Sequence, residues 1–137
     1  MVMIGQMRPV MLRKHCLSFP ASVETFPFNP ETSVFKVAGR MFALSRLADR
    51  PLKVSLKCEP LLAEQLREAH SAVIPGYHLN KRHWNTVIID GSLPEQMIKD
   101  MIEDSYDLVV SALPESQQRA LGWQADQPRS RASRAAR

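Results

Sequence analysis

Apolar and polar residues alternate strictly over residues 52–57, with the sequence LKVSLK. A period of two predicts a β-strand, because successive side chains of a strand point to opposite faces of its sheet. The leucines and the valine would then enter the core, while Lys53 and Lys57 point away from it. The pattern thus places two positive charges on a sheet surface that the core does not use.

Two neighbouring segments, 33–37 and 40–45, flank Ala38 and Gly39. Their separation by two residues predicts a tight hairpin in which Gly39 adopts a positive φ.

A further strand is predicted at 84–89, after a loop at 80–82. Residues 74–79 are a candidate hairpin arm for it, but Pro75 has no N–H to donate, so their pairing stays open.

Helical periodicity marks three other segments. Residues 9–17 and 60–70 carry apolar side chains at helical spacing, and a longer helix runs through 97–109. Ser92 and Glu95 precede the longer helix at the spacing of a capping box. The charged residues of this helix are predicted to face water: Lys99, Asp100, Glu103, Asp104 and Asp107.

The resulting element order is α-β-β-β-α-β-β-α, with a short C-terminal helix after Pro114. This order predicts an α+β fold of two layers, in which an antiparallel sheet of about five strands packs against helices. One sheet face is then left open to partners. We expect a single domain over 1–124, followed by a basic and disordered tail at 125–137.

The composition fits a globular domain, since 45% of the 137 residues are hydrophobic and 23% are charged. No apolar run has the length of about 20 residues that a membrane helix needs, and the first residues are not typical of a signal peptide. We therefore expect a cytoplasmic protein with no membrane partner. Cys16 and Cys58 lack metal-ligand spacing and are expected to be buried thiols.

The net charge of +4 is distributed unevenly. Residues 125–137 contain four arginines and one aspartate, so this tail accounts for +3 of the total. Residues 36–57 contain six bases and one acid, whereas residues 90–115 contain seven acids and one base. Such a distribution predicts a dipolar domain that orients an anionic partner toward one side.

Five segments together resemble the MmcQ/YjbR family. They are FPF at 26–28, VFKVAGRMFAL at 34–44, VSLKC at 54–58, GYHLNKRHWNTV at 76–87 and SYDLV at 105–109. The resemblance extends over roughly 11–121. It implies a YjbR-like α+β fold, of a plan also found in secretion chaperones, and DNA as the partner.

The segment 76–87 is the centre of the predicted site, because it is rich in hydrogen-bonding side chains but contains no strong nucleophile or carboxylate. We therefore expect a binding protein rather than an enzyme, with no catalytic residue, metal or cofactor. Bases on wing-like hairpins would contact phosphates, and neighbouring amides would add hydrogen bonds. The predicted contacts are Lys36, Arg40, Arg46, Lys53, Lys57, Asn80, Lys81, Arg82, His83, Trp84 and Asn85.

Three alternatives accompany this hypothesis. Lys81 and Arg82 also fit an ordinary solvated turn. Trp84 can stack on a base, but a tryptophan that opens a strand is more often a core anchor, and we favour the core. The domain as a whole can instead be a protein-interaction or chaperone-like module that binds no nucleic acid.

Overall fold

The computed structural model describes residues 7–76 and 79–123, which form four helices and six strands. In chain order these are α1 (Pro9–Leu17), β1 (Val23–Thr25), β2 (Ser33–Val37), β3 (Arg40–Ser45), β4 (Leu52–Lys57), α2 (Pro60–Ala69), β5 (Val73–Pro75), β6 (Trp84–Ile89), α3 (Glu95–Ser111) and α4 (Glu115–Ala120). The predicted tail and the motif residues Tyr77 and His78 lie outside the described residues.

All six strands join one sheet in the order β1-β2-β3-β4-β6-β5, and every neighbouring pair is antiparallel. The predicted two-layer α+β fold is confirmed, with one strand more than expected. The additional strand is β1, which has three residues and lies between Pro20 and Pro27. Prolines usually exclude strand pairing, but an edge strand of this length needs few backbone donors.

The β2–β3 hairpin has the predicted two-residue turn, in which Val37 pairs with Arg40. Both turn residues have positive φ, 50° at Ala38 and 77° at Gly39. Two consecutive positive φ values are typical of a type I′ turn, whose twist matches that of the strands. Gly39 was expected to adopt this conformation, whereas Ala38 carries a side chain into a region that glycine prefers.

The β5 strand ends at Pro75 rather than continuing to residue 79. It pairs with β6 on one side only and forms an edge of the sheet. A proline is tolerated there because the outer side of an edge strand needs no N–H donor.

Three helices cover one face of the sheet. The α3 helix contacts β2, β3 and β4, and α2 contacts β5. Residues of α1, including Leu12 and Cys16, join the same buried cluster. The cluster takes its strand residues from alternate positions: Phe35, Val37, Phe42, Ala43, Leu52, Val54, Leu56, Val73, Val87 and Ile89.

A β-bulge at Phe42 reorganises the centre of the sheet. Phe35 pairs with Ala43 and Lys36 pairs with Met41, so Phe42 is the extra residue. Phe42 and Ala43 therefore both enter the core, where the Phe42 ring meets Tyr106 edge to face at 5.4 Å. Tyr106 also stacks on Phe19, with ring centroids 4.7 Å apart.

Two predictions about α3 are wrong. No capping box forms, because the N-cap is Pro94 and Ser92 instead donates two hydrogen bonds to Asp90 Oδ1, at 3.0 Å from N and 2.7 Å from Oγ. Asp100 does not face water either. It is buried and accepts a 3.0 Å hydrogen bond from Gln96 Nε2, since α1 lies along this side of α3 and brings His15 close to it.

Candidate functional site

The sheet face opposite the helices, called the open face below, is formed by the alternate strand residues that do not enter the core. Asn85, Val87 and Ile89 of β6 face the helices, so the other β6 residues face away from them. The same alternation and the strand register assign the remaining members. The open face consists of Val23, Thr25, Val34, Lys36, Met41, Leu44, Lys53, Ser55, Lys57, Ile74, Trp84, Thr86 and Ile88.

Cross-strand pairing arranges these residues in rows across the sheet. The middle row is Thr25, Val34, Leu44, Ser55, Thr86 and Ile74. Val34, Ser55 and Thr86 are buried, and the Ser55 and Thr86 hydroxyls share a 2.8 Å hydrogen bond. The middle row is therefore less accessible than the residues on either side of it.

The upper row, at the end of the sheet with the Ala38–Gly39 turn, contains Val23, Lys36, Met41, Lys57 and Trp84. Lys36 pairs with both Val23 and Met41, and Lys57 pairs with Trp84. Both lysines are partly exposed. Positive and apolar side chains thus alternate along this row.

The predicted basic residues do not form one cluster. Lys36, Lys57 and exposed Arg40 lie at the upper end, whereas Arg46 and Lys53 lie at the other end of the sheet. Lys53 and Lys57 share a face but are four residues apart on β4, a separation of about 13 Å. Arg46 Nε lies 3.4 Å from Asp49 Oδ1, so its charge is partly neutralised. Among residues 7–76 and 79–123, no ion pair involves Lys36, Lys53 or Lys57.

The acidic residues lie mainly on the helix side. None of the open-face residues is acidic, and Glu24 of β1 points the other way and pairs with Arg13 of α1 at 2.8 Å. Glu103 of α3 is partly buried, and burial raises the pKa of its carboxyl, with Asp107 and Asp100 adding to the shift. The open face thus carries bases without acids, whereas the helix side carries acidic residues together with bases such as Arg13 and Arg67.

The loop before β6 is organised by Asn80. Its Oδ1 accepts a 2.9 Å hydrogen bond from the Arg82 amide, and its carbonyl oxygen accepts one from the His83 amide at 3.2 Å. Asn80 thus shapes the turn, a common role for asparagine. The His83 carbonyl in turn accepts a 2.8 Å hydrogen bond from the Cys58 amide. Lys81 and Arg82 are exposed at the loop surface.

Asn85 is not a surface contact, contrary to our prediction. Its relative exposure is 3%, and its side chain lies between β6 and α2. Its Nδ2 donates to the Ala63 carbonyl at 3.3 Å, and its Oδ1 accepts a 2.7 Å hydrogen bond from Arg67 Nη1. Both ends of the amide thus join the sheet to α2.

Trp84 is not a core residue, although the sequence favours a core position. It lies outside the hydrophobic cluster and alternates with Asn85, so its indole is on the open face, partly exposed and across from Lys57. Gly76 lies against it on the edge: the Gly76 amide donates to the Trp84 carbonyl at 2.9 Å. A Cβ on residue 76 would come within 2.8 Å of Trp84 Cβ, so only glycine fits there.

Arg67 of α2 was missed by the sequence analysis. Besides Asn85, its Nη1 reaches the Lys81 carbonyl at 3.4 Å, so one side chain fixes both the loop and the start of β6. A signal was available in the sequence. Arg67 follows Ala63 by four residues and thus lies on the stripe of α2 that enters the core, where an unpaired charge is not expected.

Neither cysteine has the environment of a reactive thiol. Cys16 and Cys58 are free and buried, as expected, and burial raises the pKa of each thiol to about 12. Such thiols are protonated at neutral pH and poor nucleophiles. Within the described part of the chain, no group of histidine, cysteine and acidic residues has the arrangement of a metal site. His78 lies outside that part.

The comparisons with known proteins agree on one family. The YjbR family model matches residues 17–108. The "Uncharacterized protein YjbR" of Escherichia coli (strain K12) is 38% identical over 110 residues, which cover 80% of this chain and 93% of the relative. The chain is a member of the YjbR family. The "Uncharacterized protein YbdF" of Escherichia coli O157:H7 is 33% identical over 107 residues, covering 78% of this chain and 88% of that protein.

Two solved structures support the fold as well. The crystal structure of Deinococcus radiodurans protein DR2400, with a DUF419 domain, matches with a TM-score of 0.83 and 39% identity over 92% of this chain and 96% of that one. A Pseudomonas syringae protein matches with a TM-score of 0.65 and 27% identity, over 74% and 98% of the two chains. Among the described helices of this YjbR protein, none has the length and apolarity needed to span a bilayer.

Proposed function

We propose that this YjbR protein binds DNA through the open face and the bases at its upper edge. The observation that carries the proposal is the charge of that face: Lys36, Lys53 and Lys57 lie on it with no acidic residue among its members. A lysine with no carboxylate partner keeps its full charge for an external anion. Phosphate groups of nucleic acid match such a surface because binding them releases counterions.

The set of proposed contacts is smaller than the sequence suggested. Lys36, Arg40, Lys57 and the exposed pair Lys81 and Arg82 share one end of the sheet, and Trp84 opens β6 at that same end. We retain these residues, with Lys53 as a more distant contact. Asn80 shapes the loop, Asn85 is buried and Arg46 is paired with Asp49. We therefore leave these three residues out of the proposed contacts. We also propose a cytoplasmic location, where nucleic acid is accessible.

Replacing Lys36 and Lys57 by glutamine tests the proposal. Binding of fluorescent DNA by this double variant should weaken, and the slope of log K against log salt should fall by about 0.9 for each phosphate that the variant no longer neutralises. The measurement is an anisotropy titration of duplex and single-stranded DNA at two salt concentrations.

The matched control is the double variant Lys14→Gln and Lys99→Gln, which removes the same charge from α1 and α3 on the helix side. It should bind with the slope of the wild type. A third variant, in which the four tail arginines are glutamines, separates attraction by residues 125–137 from binding by the sheet. Equal losses in both lysine double variants, or no binding by the wild type at low salt, would contradict the proposal.

A protein-interaction module remains the second candidate, favoured by one specific observation. Val23, Phe26 and Phe28 have relative exposures of 51%, 52% and 64% at and just after the edge strand β1. Apolar side chains that are exposed close together often mark a protein contact. Substituting Phe26 and Phe28 by serine should leave DNA binding unchanged if the lysines carry it. Failure of the wild type to bind DNA would favour this second function.

A further inference from the structure

We infer that the open face prefers single-stranded nucleic acid to duplex, with Trp84 as a stacking platform beside Lys57. This inference rests on the proposed function, because it names the form of nucleic acid that the same surface takes. It is carried by the upper row, in which the lysines alternate with Val23, Met41 and Trp84.

Duplex recognition by α3 does not fit the arrangement. The described helices that pack on the sheet cover the face opposite the lysines, and α3 is the most acidic of them. A helix that enters the major groove needs the opposite charge, because it approaches two phosphate backbones.

The sheet itself does not fit a groove either. Six strands at about 4.8 Å span about 24 Å, roughly twice the width of the major groove. A single hairpin is narrow enough, but the tip of the β2–β3 hairpin is Ala38 and Gly39, which offer no side-chain hydrogen bond to a base edge. A duplex that lies flat on this face would meet the lysines chiefly through its phosphates.

A single strand matches the upper row better. Its phosphates can approach Lys36 and Lys57 while an unstacked base lies on the indole of Trp84, which is partly exposed and directly across the strand pair from Lys57. Base identity should matter little, because the neighbouring Ser55 and Thr86 hydroxyls bond to each other at 2.8 Å. Stacking accepts any base, since every base has a π face.

The test compares oligothymidylate, oligouridylate and duplex DNA of about 15 nucleotides or base pairs, a length within the range of known single-strand sites. Wild-type protein should bind the single strands more tightly than the duplex. Oligothymidylate and oligouridylate compare deoxyribose with ribose in the same series. Trp84→Ala should weaken single-strand binding roughly tenfold or more and leave duplex binding within about twofold. Trp84→Phe should retain most of the affinity.

The matched control is Leu61→Ala, which removes an apolar side chain of 60% relative exposure from α2, away from the open face. A second measurement, tryptophan fluorescence, does not depend on the Trp84→Ala variant. The chain has two tryptophans, so Trp123→Phe leaves Trp84 as the sole indole, and stacking should quench its fluorescence on addition of oligothymidylate.

The outcomes separate the two proposals. Duplex bound as tightly as single strands, or single strands bound with no quenching and no effect of Trp84→Ala, would overturn this inference. Either result would leave lysine-dependent DNA binding in place. Absence of binding to all three ligands would overturn the proposed function and this inference with it.

Discussion

The two faces of the domain use their charges differently. On the helix side, three acidic groups have internal partners: Asp100 accepts from Gln96, Asp107 accepts from Trp123 Nε1 at 2.9 Å, and Glu24 pairs with Arg13. On the open face, the lysines form no ion pair within the described residues. Charges bonded within the fold contribute to its stability, whereas unpaired charges of a single sign produce a local field at the surface.

The helix layer is nonetheless joined to the sheet by side-chain hydrogen bonds, and Ser105 of α3 takes part in two of them. The Phe42 bulge interrupts the regular ladder between β3 and β4, and Ser105 fills the gap. The Lys57 amide donates to Ser105 Oγ at 2.9 Å, and that hydroxyl donates to the Phe42 carbonyl at 2.6 Å. A helix side chain thus replaces a strand-to-strand bond at the position that carries an open-face lysine.

Ser105→Ala should therefore give the largest loss of stability. It leaves the Lys57 N–H and the Phe42 carbonyl without partners, and each unsatisfied buried group costs about 1–3 kcal/mol. Urea unfolding followed by circular dichroism measures the change in the free energy of unfolding. The control Ser116→Ala alters an exposed serine of α4 and should have almost no effect. A loss as small as the control's would mean that the bridge is not needed.

The sequence predicted this architecture better than it predicted the site. The alternation of apolar and polar residues in 52–57 assigned Lys53 and Lys57 to the correct face, because successive side chains of a regular strand point to opposite faces. The Phe42 bulge could not be predicted, since it depends on the pairing of β2 with β3 and not on either strand alone. Trp84 was misplaced for a related reason: its face is fixed by the packing of Asn85 under α2, which is a tertiary contact.

Charged side chains were the least predictable from sequence. Asp100 falls on the outer side of α3 by helical periodicity, yet the docking of α1 buries it. Arg67 was overlooked because its partners, Asn85 and the Lys81 carbonyl, are distant in the chain. Periodicity describes one element at a time, so contacts that arise where two elements meet need the structure.

Arg67→Met removes a second contact between the helix layer and the sheet. Its effect on the free energy of unfolding should be smaller than that of Ser105→Ala. Methionine keeps much of the side-chain volume but leaves Asn85 Oδ1 without its 2.7 Å donor. The expected loss is about 1 kcal/mol, at the lower end for a buried acceptor because the loop beside it is exposed.

Amide hydrogen exchange provides the specific readout for Arg67→Met. Protection should fall in the Asn80–His83 turn more than in β3, since the Lys81 carbonyl no longer accepts from Arg67 in this variant. The control Arg119→Met changes an exposed arginine of α4 and should alter neither region. Uniform loss of protection across the sheet would show that Arg67 stabilises the whole fold rather than the loop.

The smallest expected effect concerns repulsion among the acidic residues of α3, and replacing Glu103 tests it. Burial and the like charges of Asp107 and Asp100 raise the pKa of Glu103, so the folded state binds its proton more tightly than the unfolded state. Stability from this group is present at low pH and is lost as pH rises through the folded pKa.

Glu103→Gln should thus stabilise the protein at pH 7 by about 0.2–0.5 kcal/mol, the scale of like-charge pairs on a helix. The gain should shrink as pH falls and vanish below the ordinary glutamate pKa. A gain that persists at low pH would assign the effect to packing rather than to charge.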